Sequence, residues 1–362
     1  MGYALVTGCS GLIGSQSVKF LIDKQMKVIG IDNHMRKYFF GDDASTEETT
    51  ENLKNDYLDN FIFYNIDIRD YEKLEEVFNT YSQEIEMIVH TAAQPSHDWA
   101  AKEPLTDFGV NAVGTLNLLE LTKKYCIDAS FIFTSTNKVY GDSPNKLHIV
   151  ETEKRFIAYN SNFSTEFDES LPIDKCLHSI FGVSKLSADL MVQEYGKYFG
   201  MNTVCFRGGC LTGPNHAGAE LHGFLSYLIK CIVNRKKYTI YGYKGKQVRD
   251  NIHSYDLVNM FWYYHMNPRK GEVYNAGGGI DNSISILETI DLVNKICKEK
   301  ISGWYDWSNY SITEENRKGD HIYYVTNFDK FTQDYPDWPG ITINLKDIII
   351  EMTENEIKKL NG

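Results

Sequence analysis

The stretch Thr7-Gly8-Cys9-Ser10-Gly11-Leu12-Ile13-Gly14 decides the fold class. An apolar run at residues 3–6, which reads as a buried strand, precedes it. Residues 11–24, which carry a helical pattern, follow it. The three glycines serve a tight turn, close approach of a phosphate, and close packing of helix on strand. The first N–H groups of a helix have no partner inside it, and they favour an anion placed over the turn. Strand, glycine-rich turn and helix in this order predict a pyrophosphate-binding loop. The same triplet outside that context would be weak evidence.

The first half of the chain repeats the alternation. Residues 27–32, 61–66, 87–91, 130–135 and 203–206 read as strands, and residues 71–81, 105–125 and 183–198 as helices. This predicts an α/β fold, a Rossmann-type doubly wound parallel sheet with helices on both faces. Asp32 ends the second strand, where a carboxylate bonds a ribose 2′-hydroxyl and repels a 2′-phosphate. NAD is therefore the expected cofactor. Arg36 and Lys37 lie nearby and leave NADP as the alternative.

The second half is less regular. Residues 221–234, 254–266 and 286–298 read as helices, and 238–241 and 273–275 as short strands. The expected division is a mainly NAD-binding Rossmann domain at 1–207, with insertions at 33–59 and 142–177. A smaller C-terminal α/β substrate-binding domain follows at 208–362, the chain crossing back around 245–275 to complete the sheet. Residues 36–41 and the 142–177 insertion are expected to border the substrate pocket, since loops of this length are usually functional or disordered.

Composition narrows the function classes. The 362 residues are 42% hydrophobic and 24% charged, which excludes disordered and fibrous chains. Acids outnumber bases 49 to 37, for a net charge of −12, so nucleic acid is not an expected partner. The seven cysteines include no Cys-x-x-Cys pair, so neither a disulfide framework nor a metal site is expected. No apolar run approaches membrane-spanning length, and the N-terminus reads as a strand, not a signal peptide. A soluble cytoplasmic protein without a membrane partner is expected.

Further motifs carry a resemblance. Asp67-Ile68-Arg69-Asp70 follows the third strand, His90-Thr91-Ala92-Ala93-Gln94 the fourth, and Asn111-Ala112-Val113-Gly114-Thr115 lies in the next helix. Together with the glycine spacing, these resemble the extended short-chain dehydrogenase/reductase family of NAD-dependent epimerases and dehydratases, over nearly the whole chain. The resemblance implies that Gly8, Ser10, Gly11, Leu12, Ile13, Gly14, Asp32, Asn33, Asp67, Ile68, Ala92, Ala93, Gln94, Asn111, Thr134 and Lys185 hold the cofactor. It also implies a homodimer paired through residues 105–125 and 183–198.

The catalytic segments are Ser135-Thr136-Asn137-Lys138-Val139-Tyr140-Gly141 and His178-Ser179-Ile180-Phe181-Gly182-Val183-Ser184-Lys185. By resemblance Thr136 bonds the reacting sugar hydroxyl, and a Tyr-x-x-x-Lys pair supplies the base and its support. Lys185 stands at the lysine position, but Phe181 occupies the tyrosine position. A phenyl ring cannot exchange a proton. Three readings stay open: an inactivating change at Phe181, a protein that only binds, or a replacement base. Replacement candidates are Thr136 relayed through Lys185, His178, Cys210 and Tyr159.

The substrate side rests on Thr136, Asn137, Lys138, Arg207, Cys210, Asn215, Arg249 and Arg317, the last two matching the family's pyrophosphate clamp. Asn137 and Lys138 replace the acid pair that a 4,6-dehydratase needs, so that reaction is disfavoured. The run at 135–142 resembles the family's CDP-hexose 2-epimerases. The implied reaction is C2 epimerisation of a nucleotide-diphosphate sugar through a transient keto sugar. The alternatives are 4-epimerisation, oxidation, or binding without turnover.

Overall fold

The computed structural model describes residues 2–159, 164–214, 223–316 and 319–361. The N-terminal part runs β1 (Tyr3–Thr7), α1 (Leu12–Asp23), β2 (Lys27–Asp32), α2 (Arg36–Phe40), α3 (Glu47–Asp56), β3 (Phe61–Asn65), α4 (Tyr71–Tyr81) and β4 (Ile85–His90). It continues with α5 (His97–Lys102), α6 (Pro104–Phe108), a π turn (Gly109–Val113), α7 (Gly114–Tyr125) and β5 (Ser130–Thr136). A hairpin, β6 (His148–Glu151) and β7 (Phe156–Tyr159), precedes α8 (Ser179–Phe199), β8 (Asn202–Gly208) and β9 (Cys210–Thr212).

The remainder comprises α9 (Phe224–Val233), β10 (Tyr238–Tyr241), β11 (Val248–His253), α10 (Ser254–Met266), β12 (Glu272–Ala276) and β13 (Ser283–Ser285). Then come α11 (Ile286–Lys300), β14 (Tyr310–Thr313), β15 (Tyr323–Tyr324), α12 (Asp329–Asp334) and α13 (Leu345–Asn361). Residues 33–59, expected as an insertion, thus fold into α2 and α3 with a short turn between them.

Seven strands form one parallel sheet in the order β12-β8-β5-β4-β1-β2-β3. The strand order reverses between β1 and β4, and the crevice above that reversal is where open α/β sheets bind ligands. Side chains of a strand alternate between faces. Val6, Val89 and Ile132 pack on the face covered by α1 and α10, while Leu5, Ile88 and Phe131 pack on the face covered by α4, α7 and α8. Because helices cover both faces, the strands read as continuous apolar runs.

A second core joins α9, α11 and α13 around Leu228, Ile240, Val293 and Ile348. Beside it, β11 pairs with β9, β13 and β15. β11 carries Arg249 toward the crevice, and β9 follows directly from β8 of the large sheet. No helix among the described residues is long and apolar enough to cross a membrane.

Candidate active site

The loop after β1 builds the first wall of a long cleft. Gly8 has φ +69°, and a Cβ there would come within 2.7 Å of the Ala92 backbone nitrogen. Gly14 lies against the loop from the helix side, where a Cβ would sit 2.0 Å from the Gly8 carbonyl oxygen. Gly11 caps α1 without a side-chain hydrogen bond, and Gly11, Leu12 and Ile13 line the cleft. The α1 N-terminus therefore presents its N–H groups to an anion. Asp32 accepts hydrogen bonds from the Ser10 N–H at 3.0 Å and the His34 N–H at 2.8 Å, which fixes its carboxylate at the cleft wall. A backbone cradle for phosphate and a carboxylate for ribose fit a dinucleotide such as NAD.

Asn33, Asp67, Ile68, Ala92, Ala93 and Thr134 also line the cleft. Four other residues expected at the cofactor do not. Ser10 is buried, its hydroxyl 2.5 Å from that of Thr50. Gly14 serves packing alone. Gln94 and Asn111 bond each other, the Gln94 N–H donating to Asn111 Oδ1 at 2.9 Å and Asn111 Nδ2 donating to the Gln94 carbonyl at 3.0 Å. The pair ties the loop after β4 to the π turn behind it, so it supports the wall from outside the cleft.

The middle of the cleft holds Thr136, Asn137, Lys138, Phe181 and Lys185. Phe181 and Lys185 are one helical turn apart on α8 and share a face. Lys185 Nζ donates to the Thr134 carbonyl at 2.7 Å and lies 4.0 Å from the Phe133 ring centroid. Burial pushes its ammonium down to about 8, against the pull of Asp189.

Lys138 Nζ donates to the Gly319 carbonyl at 3.0 Å and lies 3.5 Å from Asp320. Burial pushes it, too, down to about 8, with Asp320 opposing. Arg249 Nη2 meets Asp320 Oδ1 at 2.5 Å and donates also to the His321 carbonyl. Burial alone would raise the Asp320 carboxyl, yet Arg249 and Lys138 hold it well below the usual carboxylate range.

Arg207 is a correction to the expected substrate set. Its guanidinium is buried and forks onto Asp189 at 3.1 and 2.8 Å and onto the Tyr140 hydroxyl at 3.1 Å. It lies off the cleft because β8 turns it toward α8. Asn215 and Arg317 lie outside the described residues.

Among the replacement bases, Cys210 lines the cleft, but burial pushes its thiol up to about 12. His178 and Tyr159 do not line it; His178 Nε2 is 2.8 Å from the Val139 carbonyl oxygen. Arg36 and Phe39 of the 36–41 segment reach the cleft, whereas no described residue of 142–177 does.

The sequence reading missed His97 and Asp98, which start α5 and line the cleft, as do Thr46 and Thr49 near α3 and Tyr238, Tyr241 and Asp320 of the C-terminal part. For His97 a signal existed. It stands three residues beyond Gln94, just past the loop that leaves β4 beside the strand reversal. Tyr238 and Tyr241 had none, because no motif marks them.

Fold and cleft together define a dinucleotide-binding α/β protein whose cleft continues from the glycine loop to the C-terminal part of the chain. Residues 4–277 match the family model described as NAD dependent epimerase/dehydratase family. The chain is 33% identical over 301 residues to CDP-paratose 2-epimerase of Salmonella typhi, covering 81% of this chain and 84% of that protein. It is 31% identical over 307 residues to UDP-glucuronate 4-epimerase of Thermodesulfobacterium geofontis, covering 84% of each. UDP-glucuronic acid 4-epimerase of Bacillus cereus, solved with UDP-glucuronic acid and NAD, superposes over 99% of both chains with a TM-score of 0.77 at 25% identity. The chain belongs to the NAD dependent epimerase/dehydratase family, whose cofactor is NAD.

Proposed function

We propose that the protein epimerises a nucleotide-diphosphate hexose, at C2 of a CDP-linked sugar, as a homodimer. One observation carries this reading. A single cleft runs from the phosphate-binding glycines, past Thr136 and Lys185, to Arg249 in the C-terminal layer. That arrangement suits a cofactor and a pyrophosphate-bearing substrate held end to end. The likeness to CDP-paratose 2-epimerase supports the choice of base and carbon.

NAD held by Gly8, Gly11, Leu12, Ile13 and Asp32 would supply a hydride acceptor and later return the hydride, so net redox is zero. Thr136 offers a hydroxyl to the sugar oxygen. Lys185, anchored on the Thr134 carbonyl, places a positive charge beside the developing alkoxide. Arg249 and Lys138, both touching Asp320, present donors to the substrate phosphates. Positioning of this kind can supply a large part of a rate enhancement.

Phe181 favours a second reading, a protein that binds NAD and a sugar nucleotide without turnover. Likeness to a UDP-glucuronate 4-epimerase keeps C4 as the alternative carbon. Proton NMR of CDP-paratose, CDP-glucose and UDP-glucuronate, each incubated with the purified protein and no added NAD, separates the three. A new C2 epimer supports the proposal and a C4 epimer moves the chemistry. Silence with NAD bound supports the binding protein.

A further inference from the structure

We propose that His97 is the acid/base group that replaces the missing tyrosine, an inference that rests on the epimerase reading above. The observation behind it is a juxtaposition. The imidazole of His97 packs edge-to-face on Phe181, with ring centroids 4.9 Å apart and planes at 64°. Both rings line the cleft beside Lys185. A titratable ring thus lies against the phenyl group that lacks a hydroxyl.

The imidazole is held by its surroundings. Its Nδ1 is 2.7 Å from Ser179 Oγ. Ser179, in the left-handed region at φ +64°, also accepts the Gly182 N–H at 3.3 Å. A serine oxygen has two lone pairs, so it can accept from Gly182 and from His97 Nδ1–H together. That tautomer leaves Nε2 as the proton acceptor.

The helix that carries His97 is anchored at its N-terminus and through Trp99. Ser96 Oγ caps α5 by accepting the Trp99 N–H at 3.3 Å. Trp99 packs on Phe39 of α2 at 4.5 Å and on Tyr38 at 5.7 Å. Gly319 passes beside the Nδ1 edge of the imidazole, its carbonyl accepting from Lys138 Nζ. Among the described residues, the charged groups that line the cleft with this ring include Asp98 on its own helix, Lys185 on α8, and Lys138, Arg249 and Asp320 from other elements.

The step balances. The sugar O–H bond gives its proton to His97 Nε2 while the carbinol C–H bond gives a hydride to NAD, leaving a ketone and an imidazolium. On return the hydride reaches the opposite face of the carbonyl carbon, and the imidazolium gives its proton back to oxygen. No proton or electron pair is consumed.

Two measurements test this. In wild-type protein labelled with ¹⁵N-histidine, the His97 resonances, assigned by their loss in His97→Gln, should show Nδ1 protonated and Nε2 unprotonated above the titration midpoint. The opposite tautomer overturns the proposal. In kinetics with the nucleotide sugar that the wild type turns over, His97→Gln should lower kcat about 10²- to 10⁴-fold with KM nearly unchanged. It should also remove the low-pH limb of the pH–rate profile. Adding Phe181→Tyr to that variant should restore part of kcat.

A His97→Gln variant with wild-type kcat sinks the His97 assignment and leaves the epimerase reading intact. Silent wild-type protein with an active Phe181→Tyr variant also sinks it. Silence of both forms with every sugar nucleotide tried overturns the epimerase reading and this inference with it.

Discussion

The two ends of the cleft are built differently. At the cofactor end the working parts are mainly backbone, a left-handed glycine and a helix N-terminus, joined by one carboxylate that two backbone N–H groups fix. These come from one continuous stretch and the next strand. At the end proposed for the sugar, the lining is side chains from widely separated segments: Lys138, Phe181, Arg249 and Asp320. A backbone site tolerates almost no change in its glycines. A side-chain site can change its chemistry by one substitution, and Phe181 stands at the position where the resemblance expects a tyrosine.

The contrast can be broken at Arg207, the residue that motif matching sent to the sugar end. Arg207→Ala leaves the buried Asp189 carboxylate without its ion-pair partner, so a loss of about 3–5 kcal/mol in urea unfolding is expected. Unchanged stability with a raised KM would return Arg207 to the substrate.

Lys185 tests the electrostatics between the two ends. Its folded-state value of about 8 lies below the usual lysine value. Between pH 8 and 10 the unfolded chain therefore holds a proton that the folded chain has released, and stability should rise with pH. Lys185→Met should flatten that rise by roughly 1–3 kcal/mol across the interval. Parallel wild-type and variant curves would show that Lys185 titrates normally.

The cofactor end is sharpened by Gly14→Ala. The added Cβ meets the Gly8 carbonyl, and overpacking of about 1–3 kcal/mol is expected with loss of co-purified NAD, read by absorbance after acid release. Retained NAD would show that the loop yields more easily than the backbone argument holds.

Least disturbing to the fold is Leu105→Glu. Leu105 is 90% exposed on α6, on the helical surface expected to pair in a dimer, and folding stability should move by less than about 0.5 kcal/mol. Light scattering should nevertheless report a shift from dimer to monomer. A variant as dimeric as the wild type would place any interface elsewhere.

Much of the fold was legible residue by residue. The strands at 27–32 and 238–241 and the helices at 71–81 and 254–266 were expected at their observed bounds. Strand β1, helix α1 and strand β5 were found within a residue or two. The helix expected at 105–125 instead contains a π turn at Gly109–Val113, where Asn111 turns inward to Gln94. Periodicity does not register one extra residue in a helical turn. Short strands β9, β13 and β15 were not read either, since two or three residues carry no period and are strands only because β11 pairs with them.

The sequence by itself determined the doubly wound sheet, the glycine loop, Asp32 at the end of its strand, and a phenylalanine, Phe181, where the resemblance expects a tyrosine. These are local facts, carried by period-2 runs, by glycines whose backbone freedom no other residue has, and by the fixed four-residue interval of a helical turn. Only the tertiary structure decided that Arg207 belongs to the core, that Lys138, Arg249 and Asp320 meet, and that His97 lies against Phe181. Those pairings join segments from tens to nearly two hundred residues apart. Which side chains meet at such separations is set by how the layers pack, and no local pattern records it.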